Sequence, residues 1–534
     1  MIKAFQLNAI GAPGYQASGY RLVAWLFLRC LALIYLAAFA SLAVQIEALA
    51  GAQGIFPITE QLGEVSKAHG MLAWLAYPSL FWVASGDGAL LAVAWGGAAL
   101  SLVLLLLPWL GGWVTLQAPS PQPSPTRGEG AGALAACAAE APLGSEGCER
   151  IGWGRAERVI LILLYLLYLS LFHAGQFFTN FQWDYLLLET GFLAILLPGG
   201  PRLVVWLFRW LLFRLRFESG LAKLLSGDPT WRDLTALRFY FETQPLPHPG
   251  AWIAHHLPDW LLRVGGGGTL FVELVVPFFI FLPRPWRHFA AWITILWQLL
   301  IIATSNHNFF NLLTICLCLF LFDDQAMARV LPLGWRRRAL ASRILPQRPG
   351  AWMKALTLTL ALLLVPLSLV RGAELVLGGP VTLLQSWLEP LEPFRLANRY
   401  HVFPTIERER IELVIEASSD GVDWQPLDFR YRPDDPAQSP AFIVPHQPRL
   451  DWMLWFVPRN PLFLDLFERF LLRLREGSPA VTALLVRPPT GEEPPGWLRV
   501  RLYRYHFERP GEITSDGAWW RREDLGPFYP LPLL

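Results

Sequence analysis

Two acidic residues, Asp184 and Glu189, lie within Phe177–Leu197, a stretch that is otherwise apolar enough to cross a bilayer. A charged group at mid-membrane costs at least about 2.5 kcal/mol, so such residues usually face a protein interior or a watery cavity. Carboxylates in that setting can bind a ligand, transfer protons, or form ion pairs. The sequence therefore predicts a polar site inside a bundle of helices.

The next apolar segment supplies basic residues that could pair with these acids. Arg209, Arg216 and Lys223 recur every seven residues and so lie on roughly one face of a helix. Arg214 and Glu218 are four residues apart, and we expect them to form only a local pair on that helix. We call the predicted site the polar seam, and its members are Asp184, Glu189, Arg209, Arg216 and Lys223. Two interpretations are open: a ligand-binding or reactive site, or a structural ion-pair network that holds the helices together.

A second polar cluster, at the predicted entrance of a helix, consists of Asn306, His307 and Asn308. It can cap the free N–H groups of the helix, or His307 can act as a catalytic base. The histidines of the chain lack the ligand spacing of a zinc site, so we expect neither a metal nor a cofactor. The sequence contains no nucleophile elbow, P-loop or dinucleotide fingerprint.

The composition indicates a polytopic membrane protein. Of the 534 residues, 54% are hydrophobic and 16% are charged, whereas soluble domains carry about 25% charged residues. Apolar segments recur between Leu22 and Val370 and predict an α-helical bundle with about seven to ten membrane segments. The net charge of +2, with no basic cluster that alternates with aromatic residues, argues against nucleic acid as a partner.

The orientation follows from a basic loop. Arginines cluster between Arg329 and Arg348, directly before the apolar segment Trp352–Val370, which places the loop in the cytoplasm by the positive-inside rule. The region after that segment then lies across the membrane, in a periplasm or a lumen. We therefore expect a transmembrane helical domain over residues 1–376 and an extracytoplasmic domain over residues 377–534.

The C-terminal region is typical of a small, mostly antiparallel β domain of the α+β class. Alternating apolar and polar residues at Ile411–Ile415 and Leu498–Leu502 predict strands with one buried face. Ala480–Val486 predicts a further strand, and Leu462–Leu474 predicts an amphipathic helix. In the membrane region, residues 119–150 are rich in Pro, Gly, Ser and Ala, which indicates a disordered low-complexity insert.

Five stretches of the sequence resemble motifs of the lipase maturation factor family. Ala38–Pro57 resembles the family pattern near the start, and Gln182–Phe192 (QWDYLLLETGF) resembles its helix motif. Lys223–Pro247 resembles the family signature, in which the residues that we single out as the signature loop are Asp228, Trp231, Thr243, Gln244 and Pro245. Pro445–Trp452 (PHQPRLDW) and Arg499–Phe507 resemble its C-terminal motifs, whereas the insert departs from the pattern.

The resemblance implies an integral membrane maturation factor, or chaperone, that assists the folding or assembly of secreted lipases. In animals the family works in the endoplasmic reticulum. The chain ends in PFYPLPLL without an ER retrieval signal, and we expect a bacterial inner-membrane homologue with its C-terminal domain in the periplasm. Its expected partners are a secreted lipase or another exported client, and membrane lipid. The alternative is a membrane-embedded enzyme of carboxylase-like helical architecture that acts on a lipid or a protein side chain.

The C-terminal motif also supplies candidates for binding a client, namely Arg449, Asp451, Trp452 and Trp455. Arginine and aromatic side chains dominate the energetics of protein interfaces, so these residues could form an exposed client-binding ridge. The other interpretation is a buried Arg449–Asp451 pair, with the tryptophans packing the domain onto the membrane bundle. Exposed apolar area would favour the ridge.

Overall fold

The computed structural model describes residues 19–114, 153–342, 344–346, 348–381, 389–486, 494–511 and 518–528. The predicted insert at residues 119–150 lies outside these ranges. The described residues form a bundle of helices followed by a four-stranded antiparallel sheet, which confirms the predicted fold class.

Helices of very different length build the bundle. The first eight are α1 (Arg21–Ala43), α2 (Ile46–Ala50), α3 (Ile58–His69), α4 (Ala73–Ala76), α5 (Asp87–Val114), α6 (Trp153–Ala174), α7 (Gln182–Ala194) and α8 (Leu203–Leu225). The next nine are α9 (Pro229–Arg232), α10 (Ala236–Thr243), α11 (Pro249–His255), α12 (Asp259–Leu274), α13 (Arg284–Thr304), α14 (Phe310–Cys318), α15 (Asp324–Val330), α16 (Leu333–Ala341) and α17 (Ala351–Leu377).

Six helical stretches of the described chain are long and apolar enough to cross a membrane. They are Arg21–Ala43, Asp87–Trp109, Gly154–Ala174, Asp259–Phe281, Arg284–Thr304 and Ala351–Leu377. The pair Phe310–Leu321 and Asp324–Val330, bent by 117°, makes a seventh if it counts as one broken span. A total of seven spans equals the lower limit of the seven to ten membrane segments predicted from the sequence. Helices α7 and α8 lie inside the bundle and carry the buried charges.

The C-terminal sheet has the strand order β2-β1-β3-β4 with every neighbouring pair antiparallel. Its strands are β1 (Arg410–Ser418), β2 (Gln425–Pro426), β3 (Trp497–Phe507) and β4 (Trp520–Pro527). The helices of this region are α18 (Arg449–Leu454), α19 (Leu464–Arg475) and α20 (Pro479–Thr482). The strands predicted at 411–415 and 498–502 are confirmed, and they pair with Leu413 opposite Leu502. The amphipathic helix predicted at 462–474 is confirmed as α19.

The strand predicted at Ala480–Val486 is wrong. This segment begins as α20, because Ser478 caps it by accepting the N–H of Val481 and Pro479 occupies its first position. Only Leu485 forms a β-bridge, to Phe429. The cap and the proline therefore outweigh the apolar run that suggested a strand.

The helices and the sheet share their hydrophobic cores. Phe56 and Phe178 of the helical part pack into the core beneath the sheet. In the other direction, Tyr400, Ile443 and Trp452 belong to the core of the bundle. Because each core contains residues of both parts, the two parts form one packed unit.

Candidate functional site

Asp184 connects the helical bundle to the C-terminal region. It lies in the first turn of α7 and is completely buried. Arg449 of α18 donates from Nη1 to Asp184 Oδ2 at 2.7 Å and from Nη2 to Oδ1 at 2.8 Å. The hydroxyl of Tyr168 donates to Oδ1 at 2.7 Å, and Arg449 Nη1 also donates to the carbonyl oxygen of Phe178 at 2.8 Å. Bidentate arginine–carboxylate pairs are strong and directional, so this pair fixes α18 against α7.

Glu189 forms a second buried cluster one and a half turns further along α7. It pairs with Arg214 of α8, and its Oε2 accepts from the Tyr400 hydroxyl at 2.9 Å and from Asn398 Nδ2 at 3.0 Å. Arg214 Nη1 donates to the carbonyl oxygen of Asn398 at 2.9 Å. The prediction that Arg214 pairs only locally is wrong, because its ion pair joins two helices. Glu218 instead accepts the backbone N–H of Tyr400 at 2.8 Å.

Arg216 and Lys223 share a carboxylate from a third helix. Glu273 of α12 lies 2.8 Å from Lys223 Nζ and 3.3 Å from Arg216 Nη2. Lys223 also donates to the carbonyl oxygen of Val402 at 2.7 Å, and its ammonium lies 5.2 Å from the ring centroid of Trp231. These contacts join α8, α12 and the segment that leads to the sheet.

The predicted polar seam is therefore several separate clusters. Arg209 donates to the carbonyl oxygen of Phe320 at 3.0 Å and to the Tyr20 hydroxyl at 2.8 Å, at the far end of α8. In the described chain, none of the three predicted bases pairs with either predicted acid. The three bases are too far apart along α8 to reach one site, since Arg209 precedes Lys223 by fourteen residues, or about 21 Å along a helix. Residues on one face of α8 cannot converge over that distance.

The sequence analysis did not identify Glu273 or Arg410 of β1 as site residues, and it did not assign Arg214 to the polar seam. Glu273 is a lone acid in the apolar run TLFVELVVP, and the rule that identified Asp184 would have found it. Arg214 lies two residues from Arg216, about 200° around the helix, and therefore faces α7 rather than α12. Arg410 carries no local signal, because its carbonyl partners lie 165 to 168 residues earlier in the chain.

The signature loop builds a socket of carbonyl oxygens for Arg410 of β1. Arg410 Nη1 donates to the carbonyl oxygens of Glu242 at 2.8 Å and Gln244 at 2.5 Å, and Nη2 donates to that of Pro245 at 3.0 Å. Glu412 lies 2.6 Å from the same guanidinium. The arginine is completely buried, so the loop and the sheet are held together by charge-assisted hydrogen bonds.

The other members of the signature loop also bind the C-terminal half. Asp228 caps α9 and accepts the N–H of Ile406 at 2.7 Å through Oδ2. The carbonyl oxygen of Thr243 accepts from Trp455 Nε1 at 2.9 Å, while Trp231 is buried beside the ammonium of Lys223. The signature segment thus acts as a docking platform within the protein.

At the helix entrance, Asn308 performs the capping role that was one of the two interpretations. Its Oδ1 accepts the N–H of Phe310 at 2.9 Å, at the start of α14. Asn306 donates to the carbonyl oxygens of Leu246 at 3.0 Å and Ala441 at 2.8 Å. One of these acceptors lies in the helical part and the other in the C-terminal part, so Asn306 also joins the two.

His307 lies beside Tyr240, with the hydroxyl oxygen 2.6 Å from Nε2. Burial lowers the pKa of His307 to about 3, so the imidazole is neutral at physiological pH. Its role as a catalytic base stays a prediction. Within the described ranges, no three His, Cys, Asp or Glu side chains are grouped so that they could hold a metal ion.

The client-binding candidates lie inside the protein and not on an exposed ridge. The exposed fractions of Arg449, Asp451 and Trp452 are 1%, 5% and 3%, and the side chain of Trp455 is held by its hydrogen bond. In the other interpretation, the tryptophans pack onto the bundle, and Trp452 does belong to the core of the bundle. Arg449, however, pairs with Asp184 and not with Asp451, whose Oδ1 accepts the N–H of Tyr431 at 3.1 Å. Burial raises the pKa of Asp451 to about 6.

The Arg410 socket leads to a stability prediction. We expect Arg410→Met to lower the free energy of unfolding by about 3–5 kcal/mol, because three buried carbonyl oxygens would lose their donor and Glu412 would keep only its ion pair with Arg432. Thermal unfolding of the purified chain in detergent measures the change. Arg504→Met is the matched control in the same sheet, since Arg504 pairs with the exposed acids Glu409 and Glu523; its Tm should match wild type. Equal Tm values for the two variants would contradict the socket.

Comparison with known proteins covers both parts of the chain. The family profile described as "Lipase maturation factor transmembrane domain" matches residues 22–119 and 129–329, and "Lipase maturation factor C-terminal domain" matches residues 396–530. Lipase maturation factor 2 of Homo sapiens is 33% identical over 96% of this chain and 83% of that protein. Lipase maturation factor 1 of Bos taurus is 32% identical over 97% of this chain and 91% of that protein. No solved structure matches the chain. The chain is thus a multi-pass integral membrane protein that belongs to the lipase maturation factor family.

Proposed function

We propose that this chain assists the folding or assembly of a secreted lipase and acts as a membrane-bound chaperone. The observation that carries the proposal is that proteins named lipase maturation factors match both the helical part and the C-terminal part. The proposal assigns the chain a client protein and no reaction of its own.

The buried charges support this proposal over the alternative of an intramembrane enzyme. The carboxylates of Asp184, Glu189 and Glu273 are each paired with arginine or lysine. A buried ion pair that loses one partner leaves a costly charge, so the paired state holds the structure together. The clusters therefore serve to fix the C-terminal region on the bundle.

We also propose that this region, residues 377–534, lies in the periplasm, with the helical domain, residues 1–376, in a bacterial inner membrane. Support comes from the two ends of α1, which are about 35 Å apart for 23 residues. At one end, Arg21 donates to the carbonyl oxygen of Leu340 at 2.7 Å, inside the arginine-rich segment. At the other end, Gln45 donates to the carbonyl oxygen of Gln447 at 2.7 Å. The arginines and the sheet thus lie at opposite ends of a candidate span, as the positive-inside rule requires.

Deletion of the gene in its host tests the proposed function. The measured quantity is the activity of each secreted lipase divided by the amount of that lipase protein, with the wild-type gene restored on a plasmid as the control. We expect this ratio to fall for at least one lipase whose protein is still made, and to recover on complementation. Unchanged ratios for every secreted lipase would contradict the proposal.

A further inference from the structure

A cavity of about 470 Å³ opens between α10, α12 and α13, near the end of the bundle that carries the sheet. Pockets for small molecules usually measure about 300–1,000 Å³. Its outer wall is apolar and includes Val264 of α12 and Leu300 of α13, which are 61% and 49% exposed. Both helices belong to candidate membrane spans, so the mouth of the cavity opens on the outer surface of two candidate spans.

The inner end of the cavity is polar. Arg216, Lys223, Glu273, Gln298 and Asn311 line it, and each residue is more than nine-tenths buried. Arg216 Nη2 lies 3.3 Å from the Glu273 carboxylate, yet Nε and Nη2 of this arginine have no hydrogen-bond partner, and neither has Gln298 Nε2. Asn311 Oδ1 and Glu273 Oε2 also have no hydrogen-bond partner, although Lys223 Nζ lies 2.8 Å from that carboxylate. Buried donors without acceptors are unfavourable, so the edge of Arg216 formed by Nε and Nη2 is suited to an acceptor.

Two basic side chains at the inner end, Arg216 and Lys223, share one carboxylate, that of Glu273. His307 also lines the cavity but is neutral, because burial lowers its pKa to about 3. Among the described lining residues, Glu273 is therefore the one acid beside two bases. An anion would supply a second acidic partner.

Two glycines allow close packing of α12 at the cavity. Gly265 and Gly268 both line it, and an added Cβ would come within 2.8 Å of Leu237 and within 2.5 Å of Trp297, respectively. Side chains at these positions would have to displace their neighbours. The glycines thus let Leu237 and Trp297 pack directly against α12, where they form part of the apolar wall of the cavity.

We propose that this cavity binds a long-chain carboxylate, the ionised form of a fatty acid, with its head at Arg216 and its chain between α12 and α13. The Nε and Nη2 atoms of an arginine match the two oxygens of a carboxylate. The carboxylate would accept from the unpartnered donors of Arg216, and the apolar wall formed by α12 and α13 would contact its chain. This assignment does not depend on the identity of a protein client.

Photo-crosslinking of the full chain in lipid nanodiscs tests the assignment. The probe is a 16-carbon fatty acid with a photoreactive diazirine, and the matched probe is the corresponding 16-carbon alcohol. We expect saturable labelling of peptides from α12 and α13, with the acid favoured over the alcohol at least about tenfold, as expected for a charge-assisted contact. Arg216→Gln should abolish that preference.

A second pair of variants tests the location of the chain. Ile301 lines the cavity, and the larger side chain of Ile301→Trp would occupy the space of the fatty-acid chain. We therefore expect this variant to be labelled at least about tenfold less than wild type. Leu299→Trp is the control, since Leu299 lies on the same helix but is 51% exposed and does not line the cavity; its labelling should match wild type.

Unlabelled hexadecanoate and phosphatidylglycerol are then added as competitors of the acid probe. Three results would overturn the assignment: equal labelling by acid and alcohol, full labelling of Ile301→Trp, or a larger loss of labelling with phosphatidylglycerol than with hexadecanoate. The comparison of acid with alcohol uses the wild-type chain. It therefore decides the charge preference even if a variant fails to fold.

Discussion

Arg449→Met is expected to lower the free energy of unfolding by about 3–5 kcal/mol and to loosen the C-terminal region from the helices. The substitution leaves the completely buried Asp184 without its counter-charge, and breaking one side of a buried ion pair costs about this much. Thermal unfolding in detergent measures the stability, and limited proteolysis measures release of the C-terminal fragment. We expect a lower Tm and faster cleavage than in the wild-type chain.

A surface ion pair between the same two parts of the chain provides the control. Arg469 of α19 lies 3.0 Å from Glu60 of α3, and these side chains are 37% and 52% exposed. Arg469→Met should cost only about 0–1 kcal/mol, because exposed pairs are screened by water and salt. If Arg449→Met and Arg469→Met shifted the Tm equally, burial of the Asp184 pair would not be the source of its effect.

Glu189→Ala is the second substitution for which we expect a large effect, about 3–5 kcal/mol of stability. It leaves Arg214 buried without its carboxylate partner in α7, and it removes the acceptor of the Tyr400 hydroxyl. Glu189→Gln keeps an acceptor for Tyr400 but not the charge, so its Tm should lie between those of Glu189→Ala and wild type. The same thermal unfolding assay compares the three proteins.

Glu392→Ala is the matched control, since Glu392 is half exposed and pairs with Arg371 and Arg395. We expect it to change stability by about 0–1 kcal/mol. A Glu189→Ala protein as stable as Glu392→Ala would show that the cluster around Glu189 is not structural. Normal stability of Glu189→Gln combined with lost lipase maturation would instead favour chemistry at Glu189.

Local sequence signals predicted much of the fold. Apolar segments, several of them shorter than a bilayer crossing, predicted the long helices, and alternation of apolar and polar residues predicted β1 and β3. The strand predicted at Ala480–Val486 was wrong, because Ser478 and Pro479 start a helix there despite the short apolar run. The rule that charges inside apolar segments face a protein interior placed Asp184 and Glu189 correctly, since both are buried.

The partners of these acids could not be predicted, because ion pairs in a folded chain depend on its long-range topology. Asp184 pairs with Arg449, which lies 265 residues later, and no spacing rule operates over that distance. The bases spaced seven residues apart on one face of α8 suggested nearer partners. Seven residues advance about 10 Å along a helix, so each of these bases contacts a different neighbouring segment. Local periodicity shows which residues share one face of a helix, whereas the contacts of that face depend on the tertiary fold.

The C-terminal region and the helical bundle share their hydrophobic cores. Because Phe178 packs beneath the sheet and Trp452 packs in the bundle, the sheet is not a module on a flexible tether. The signature loop and the C-terminal motif, which are far apart in sequence, meet where Trp455 donates to Thr243. The motifs that mark the family therefore lie on both sides of one internal interface.

We propose that the buried charges join the two parts of the chain and take no part in a reaction. The most direct test is lipase specific activity, relative to the amount of folded chain, in cells that carry Asp184→Asn/Arg449→Met. This double variant removes both charges, so neither partner is left unpaired. We expect a near-normal amount of folded chain and, relative to that amount, the same lipase activity as with wild type. A normal amount of folded chain with lipase activity as low as in the deletion strain would contradict the claim.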